Sequence, residues 1–262
     1  MQLPDIAAEI RRSTVETIAG SGRGHYGGAL SAVDILTALY FGGVMADGDR
    51  FILSKGHAGS ALYATLARAG ILDPAHLATL NHGGLLGEEP HRQIPGVTAN
   101  TGSLGHGLGL ACGLATAALR DATGSRTFVL MGDGECWEGS VWEAAMFAAH
   151  HALDITVIVD RNRLAIGGGT EMINGLAPLD QKWEAFGWRC DYTDGHNANA
   201  LAHELRERKP GPLCLIADTI KGKGVSFMEN RPEWHHGAMT PEQLAQAREE
   251  LGTTGRILQA AA

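Results

Sequence analysis

The chain has 262 residues, 44% hydrophobic and 19% charged, with a formal net charge of −8. That length supports one large domain with a full core. The negative balance and the lack of any basic run exclude nucleic acid and anionic membrane surfaces as partners, and the apolar runs are far too short to span a bilayer.

The N-terminal "MQLPDIAAEIRRSTVETIAG" carries early acids and no apolar signal core. The periodicity in "DIAAEIRRSTVETIA" predicts a helix. "SAVDILTALYFGG" predicts a second, opened by a Ser31 to Asp34 capping box and stopped at Gly42-Gly43. "RFILS" reads as a short strand, "GSALYATLARAG" as a helix ending at Gly70, and Asp73-Pro74 as the start of a short helix. From Gly102 the pattern alternates. "LGHGLGLACGLATAALRDA" is a small-faced helix, "RTFVLMG" an apolar strand, "GSVWEAAMFAAHHA" a helix and "DITVIVD" a strand. "PLDQKWEAFG", "WRCDYT", "ANALAHELRER" and "PLCLIADTI" continue as helix, strand, helix and strand. "TPEQLAQAREEL" closes the series with a Thr240 to Gln243 capping box. Apolar strands separated by helices imply a mostly parallel sheet covered on both faces, an α/β fold of three layers. With no linker or repeat, residues 1–262 are expected to form a single domain.

Four cysteines without CxxC spacing (Cys112, Cys136, Cys190, Cys214) point to reduced, mostly buried thiols of a cytoplasmic protein. Glycine is the compositional outlier, at 36 residues, about twice the usual share. The clusters "SGRGHYGG" and "TGSLGHGLG" mark backbone that turns sharply or approaches a ligand closely.

The stretch "GDGECWEGSVWEAAMFAAHHALDITVIVDRN" carries the chemistry. Asp133 follows one apolar strand and Asn162 follows the next, one strand–helix–strand crossover of roughly 30 residues apart. Both therefore fall beyond the carboxyl ends of parallel strands, where open α/β sheets bind ligands. Gly132 and Gly134 would turn the chain and offer N–H groups to a diphosphate at a helix N-terminus. A carboxylate and an amide oxygen are hard ligands suited to Mg²⁺ or Ca²⁺.

"GDG…N" at this separation resembles the thiamine-diphosphate signature. "GHYGGALS", "LSKGHA", "PGVTANTGSLGHGLGLACGLA", "VDRNRLAI", "KWEAFGW" and "TIKGKGVSFMENRPEWHHG" occur in the order found in the transketolase family. The chain thus resembles the N-terminal, diphosphate-binding half of a transketolase. The resemblance implies two-carbon ketol transfer from a ketose to an aldehyde, with thiamine diphosphate doing the carbanion chemistry.

The same resemblance implies residue roles. Asp133 and Asn162 would hold Mg²⁺ (or Ca²⁺ or Mn²⁺) through side chains, and Leu164 through its carbonyl. Gly132 and Gly134 would meet the diphosphate. Gly102 and Leu104 would line the cofactor approach, Ile166 would pack near the thiazolium, and His57 would touch the cofactor. His25, His57, His91 and either His236 or His235, with His236 preferred, would form a ring of imidazoles for sugar hydroxyls and proton transfer. "PHRQIPG" is shorter than the usual spacing after His91. Glu138, and with it Glu143, would lie at a subunit interface linking two cofactor sites. The remaining histidines read as structural or exposed.

The family's activating glutamate belongs to its following, pyrimidine-binding domain, and no glutamate here matches it. The expectation is therefore a separate partner subunit on the order of 300 residues and a symmetric α₂β₂ assembly, with this chain inactive alone. His106, Arg23 and Gly167-Gly168-Gly169 depart from the family pattern and bear on the substrate more than on the cofactor. Alternatives are a 2-oxo-acid dehydrogenase α chain, against which the "LSKGHA" and "GHYGG" blocks argue, an acyloin-forming or acyl-transfer subunit of specialised metabolism with the same cofactor, and a nucleotide-binding regulatory module. A G-x-G-x-x-G placed after a strand is lacking.

Overall fold

The computed structural model describes residues 1–207 and 211–252. Two helices open the chain. In α1 (Leu3–Gly20), Pro4 sits in the first turn and Gln2 and Asp5 close a reciprocal cap. In α2 (Tyr26–Phe41), 14 of 16 residues are buried, as expected for a helix that is apolar all round. The expected Ser31 to Asp34 cap is not formed, because α2 already starts at Tyr26 and both residues lie inside it. Ser31 instead donates to Asp160, and Asp34 accepts from Arg11 and pairs with His196. Gly27 and Gly28 do not break the helix; they make room for its neighbours. A Cβ at Gly27 would lie 2.8 Å from Lys221, and one at Gly28 3.0 Å from the His57 ring.

Strand β1 (Arg50–Leu53) leads to α3 (Gly59–Arg68), which ends before Gly70 in the left-handed region, φ 71°. The helix expected at Asp73-Pro74 is a 3-10 segment, Pro74–Thr79, capped by Asp73 on the Ala75 N–H. Next come α4 (Gly107–Arg120), β2 (Thr127–Gly132), α5 (Gly139–His150) and β3 (Ile155–Arg161). The small strands β4 (Leu164–Ala165) and β5 (Gly168–Gly169) form an antiparallel hairpin around the three glycines, with Gly168 at φ 127°. A short turn α6 (Thr170–Ile173), α7 (Leu179–Ala185), β6 (Arg189–Asp194) and α8 (Ala198–Arg206) follow. Arg208, expected in α8, lies outside the described residues. The chain then forms β7 (Leu213–Asp218) and α9 (Pro241–Glu250), the latter with the expected Thr240–Gln243 capping box.

Five strands make a wholly parallel sheet in the order β1-β2-β3-β7-β6. Successive residues of β1, β2, β3 and β7 enter different cores. Phe128 and Leu130 of β2 join the helices α1, α2, α3 and α8 on one face. Val129 and Met131 join α4, α5 and α7 on the other. This is the three-layer α/β fold anticipated from the sequence. Because all five strands run the same way, the segments after β1, β2, β3 and β7 emerge on one edge of the sheet, where they deliver His57, Asp133, Asn162 and Lys221.

Candidate active site

At the carboxyl ends of β2 and β3 the register pairs Gly132 with Asp160, so Asp133 and Asn162 emerge side by side. Both are buried. One Asp133 carboxylate oxygen accepts from the Gly134 N–H at 2.8 Å and the other from the Arg163 N–H at 2.8 Å. Asn162 Oδ1 accepts from the Leu164 N–H at 3.1 Å. Burial, reinforced by the Asp160 charge, raises the Asp133 carboxyl above its usual range. No cationic side chain makes a direct bond to it among the described residues, so a divalent cation would supply the missing charge. The Leu164 carbonyl accepts from Lys221 Nζ at 2.8 Å and keeps a second lone pair. Hard oxygens of this kind fit Mg²⁺ in their chemistry.

The two glycine amides expected to meet a diphosphate are engaged otherwise. Gly134 donates to Asp133, and Gly132 donates to Glu135 at 3.1 Å. Asp133 also opens a 3-10 turn, Gly134–Trp137, while α5 begins only at Gly139, so the expected helix N-terminus lies several residues downstream. Glu135 is a residue the sequence reading missed. Buried behind the glycines, it accepts from Ser54 Oγ, the Gly105 N–H and the Gly132 N–H. It thereby ties the end of β2 to the segment entering α4.

Beneath the oxygens lies a second missed group. Asp160, fully buried, accepts from Lys55, from Ser31 at 2.6 Å and from Thr219. Burial alone would push its carboxyl up, but the Lys55 ammonium and these hydroxyls hold it below its usual range. Lys55 also donates to the Gly28 carbonyl at 2.9 Å, which fixes the first turn of α2 over the sheet edge.

The histidines form a separate constellation. His25 lies 5.3 Å from His57, 5.2 Å from His235 and 4.5 Å from His236 between ring centroids, and His57 stacks on His235 at 5.5 Å. Both candidates at the C-terminal position therefore enter the cluster, with different partners: Lys221 donates to His235 Nδ1 at 2.8 Å and Arg23 approaches His236 Nδ1 at 3.3 Å. Burial, with Lys55 next in weight, drives the His57 imidazole well below its ordinary range. Burial also lowers His25 against the opposing pull of Glu88. Burial and Lys221 take His235 down to about 3. All three rings are neutral at pH 7.

His91 does not join them. Its Nε2 lies 3.0 Å from the Leu85 carbonyl, and it lines a shallow depression with Arg92, Gln93 and Asn100. The Ile94 N–H donates to the His91 carbonyl, and it is Glu88 that lies against the cluster, 2.6 Å from His25 Nδ1. The short spacing before "IPG" was the sequence signal for this.

The residues expected to line the cofactor approach are distributed around the same edge. Gly102 has φ 142°, and a Cβ there would collide with the Glu89 carboxylate at 2.4 Å. Leu104 is exposed, and Ile166, at the hairpin tip, is 75% exposed. Glu138 is exposed where it precedes α5, against Gly105. Glu143 is exposed on α5, and His106 is exposed at the start of α4.

Comparisons with known proteins show the family. Residues 4–257 match the family described as transketolase, thiamine diphosphate binding domain. The chain belongs to the transketolase family and carries its thiamine-diphosphate-binding domain. It is 42% identical over 254 residues to an apulose-4-phosphate transketolase subunit of Phocaeicola vulgatus, covering 92% of this chain and 90% of that one. It is 40% identical over 260 residues to the 6-deoxy-6-sulfo-D-fructose transketolase subunit SqwG of Clostridium sp. (strain MSTE9), covering 94% of each. Among solved structures, the transketolase from Leishmania mexicana superposes with a TM-score of 0.88 at 27% identity, covering 96% of this chain and 41% of that one. The chain thus spans about two fifths of the solved transketolases it matches.

Proposed function

We propose that this chain is the diphosphate-anchoring subunit of a two-part enzyme that transfers a two-carbon ketol unit from a ketose to an aldehyde. Thiamine diphosphate, when bound, supplies the carbanion chemistry. Asp133, Asn162 and the Leu164 carbonyl would hold Mg²⁺, which would supply charge to the diphosphate, and Gly102, Leu104 and Ile166 would line the approach. His25, His57, His235 and His236 bind sugar hydroxyls and move protons between oxygens. The observation that carries this reading is the meeting of two sets on one sheet edge: a buried carboxylate–amide pair to which no cationic side chain is bonded among the described residues, and a cluster of histidines in which burial lowers His25, His57 and His235.

A neutral imidazole both donates and accepts, which matches a polyol substrate with a carbonyl that becomes an alcohol. Two relatives bear names that specify a phosphorylated and a sulfonated sugar, and both are named as transketolase subunits. The partner here would carry the pyrimidine-binding domain and the activating glutamate, in an α₂β₂ assembly. Exposed Ile166 and Met172, 75% and 91% accessible, support a partner surface beside the site. All four cysteines are free thiols, in keeping with a cytoplasmic setting, and no helix among the described residues is long and apolar enough to cross a membrane.

The test is calorimetric titration of the chain with thiamine diphosphate, with and without Mg²⁺, followed by ketol-transfer assays with the co-expressed partner and product analysis. Mg²⁺-dependent binding and a two-carbon transfer product are expected. Products of acyloin type, without ketol transfer, would overturn the reaction while keeping the cofactor.

A further inference from the structure

Among the described residues, Glu88 is the carboxylate that enters the histidine cluster, and the same oxygen serves two rings. Oε1 lies 2.6 Å from His25 Nδ1 and 3.3 Å from His236 Nε2. On its far side, His236 Nδ1 faces the Arg23 guanidinium at 3.3 Å. Guanidinium only donates, so Nδ1 of His236 is the bare nitrogen and its proton sits on Nε2, toward Glu88. His25 is neutral, so a carboxylate accepting at Nδ1 puts its proton there and leaves Nε2 bare. Glu88 thus dictates which nitrogen is protonated on both rings.

The backbone supports this order. Gly24 and Gly237, the neighbours of His25 and His236, exchange both N–H···O bonds, at 2.9 and 3.0 Å. The bridge holds the backbones that carry the two rings side by side. The site is also unsuited to a metal, although His25, Glu88 and His236 offer ligand atoms within 4.8 Å of one another. A cation on His236 Nε2 would force the proton onto Nδ1, against the guanidinium.

We propose that Glu88 is a positioning residue that locks His25 as the Nδ1–H tautomer and His236 as the Nε2–H tautomer, so that His25 presents Nε2 as a proton acceptor. The use of that acceptor in ketol transfer rests on the function proposed above; the tautomer lock does not. A carboxylate set behind an imidazole so that the ring presents its other nitrogen is a recurrent way of orienting a proton-transfer group. Glu88 is half-buried rather than part of the core, so its replacement leaves the fold intact.

The experiment uses ¹⁵N-histidine-labelled full chain, wild type, Glu88→Ala and Glu88→Gln, with His25 and His236 assigned by single replacement. In wild type, two-bond ¹⁵N–¹H correlations should show a protonated Nδ1 and bare Nε2 on His25. Glu88→Gln keeps an acceptor oxygen and should keep that tautomer; Glu88→Ala should lose it. In the enzyme assembled with its partner, Glu88→Ala should lower kcat by about ten-fold or more with a smaller change in KM, the scale of misplaced proton transfer. Both variants should move the acid limb of the kcat profile to lower pH, because Glu88 raises the His25 pKa while His236 and Lys221 lower it. His57, His235 and Arg23 also face this group and are unchanged in the variants. An unaltered His25 tautomer in Glu88→Ala overturns the proposal. The expected tautomer change in chains that show no ketol transfer with the partner overturns the function and leaves the positioning role standing.

Discussion

Gly24 and Gly237 lie at opposite ends of the described chain and are joined by reciprocal backbone hydrogen bonds of 2.9 and 3.0 Å. This isolated bridge brings His25 to 4.5 Å from His236 between ring centroids. A Cβ on Gly24 would lie 2.9 Å from the γ2 methyl of Ile18, a stiff β-branched side chain in the core. Gly24→Ala should therefore destabilise the protein by about 1–3 kcal/mol, the usual scale for overpacking. Urea unfolding of wild type and variant measures this. Equal midpoints would show that the bridge accommodates a methyl group.

Asp133→Ala and Asn162→Ala should each abolish the Mg²⁺ dependence of thiamine diphosphate affinity while the far-UV circular dichroism stays that of wild type. Removing the Asp133 carboxylate relieves a buried charge but strips the acceptor from the Gly134 and Arg163 N–H groups, so that variant should lose no more than about 1–3 kcal/mol in metal-free buffer. Calorimetry with and without Mg²⁺ decides the first point and thermal melts the second. Retained Mg²⁺ dependence in both variants would move the metal site elsewhere.

Glu135 should matter to the fold more than its surroundings suggest. Glu135→Ala strips an acceptor from the buried Gly105 N–H and the partly buried Gly132 N–H, and a buried donor left unpaired costs about 1–3 kcal/mol. Glu135→Gln keeps one acceptor oxygen and should lose less. Denaturant midpoints that rank wild type above Gln and Gln above Ala are expected; Ala equal to wild type would mean that water replaces the carboxylate freely.

These residues also mark how far the sequence could be read. The strand–helix alternation was legible because buried parallel strands such as "FVLM" and "ITVIVD" are apolar throughout. Asp133 and Asn162 were legible because one crossover has a nearly fixed length. The capping box at Ser31 was misread because Gly27-Gly28 looks like a helix breaker, whereas those glycines admit Lys221 and His57 from distant segments. Glu88 was missed for the same kind of reason. Its partners, His25 and His236, are 63 and 148 residues away, and no local pattern in "LLGEEPHRQ" distinguishes an acid that faces the histidines from one that faces water.

His235 gives the chain a pH-dependent stability. Its folded-state pKa of about 3 lies below the ordinary 6.5, through burial first and the Lys221 charge second, with His25, Lys55 and His236 adding to the effect. Between those values the unfolded chain binds more protons than the folded one, so stability falls as pH drops below about 6.5. His235→Asn cannot take up that proton. Its urea midpoint should fall less than that of wild type between pH 7 and pH 5. Parallel curves would show that His235 is not a source of the acid sensitivity.

The helices α4 and α5 present exposed apolar side chains on one surface. Leu110 on α4 and Met146 and Phe147 on α5 are 44%, 53% and 44% exposed, and the two helices pack together, with Cys112 Sγ against the Ala144 carbonyl. Glu138 and Glu143 are exposed at the start and on the flank of α5. An apolar face of this kind beside a cofactor edge is the mark of a subunit contact. Met146→Glu combined with Phe147→Glu should leave the melting temperature of the isolated chain within a few degrees, since neither side chain belongs to the core. In the presence of the co-expressed partner the same variant should sediment as smaller species than wild type and lose ketol transfer in proportion. Assembly and activity equal to wild type would remove this face from the interface and favour the surface around exposed Ile166 at the hairpin and Met172 on α6.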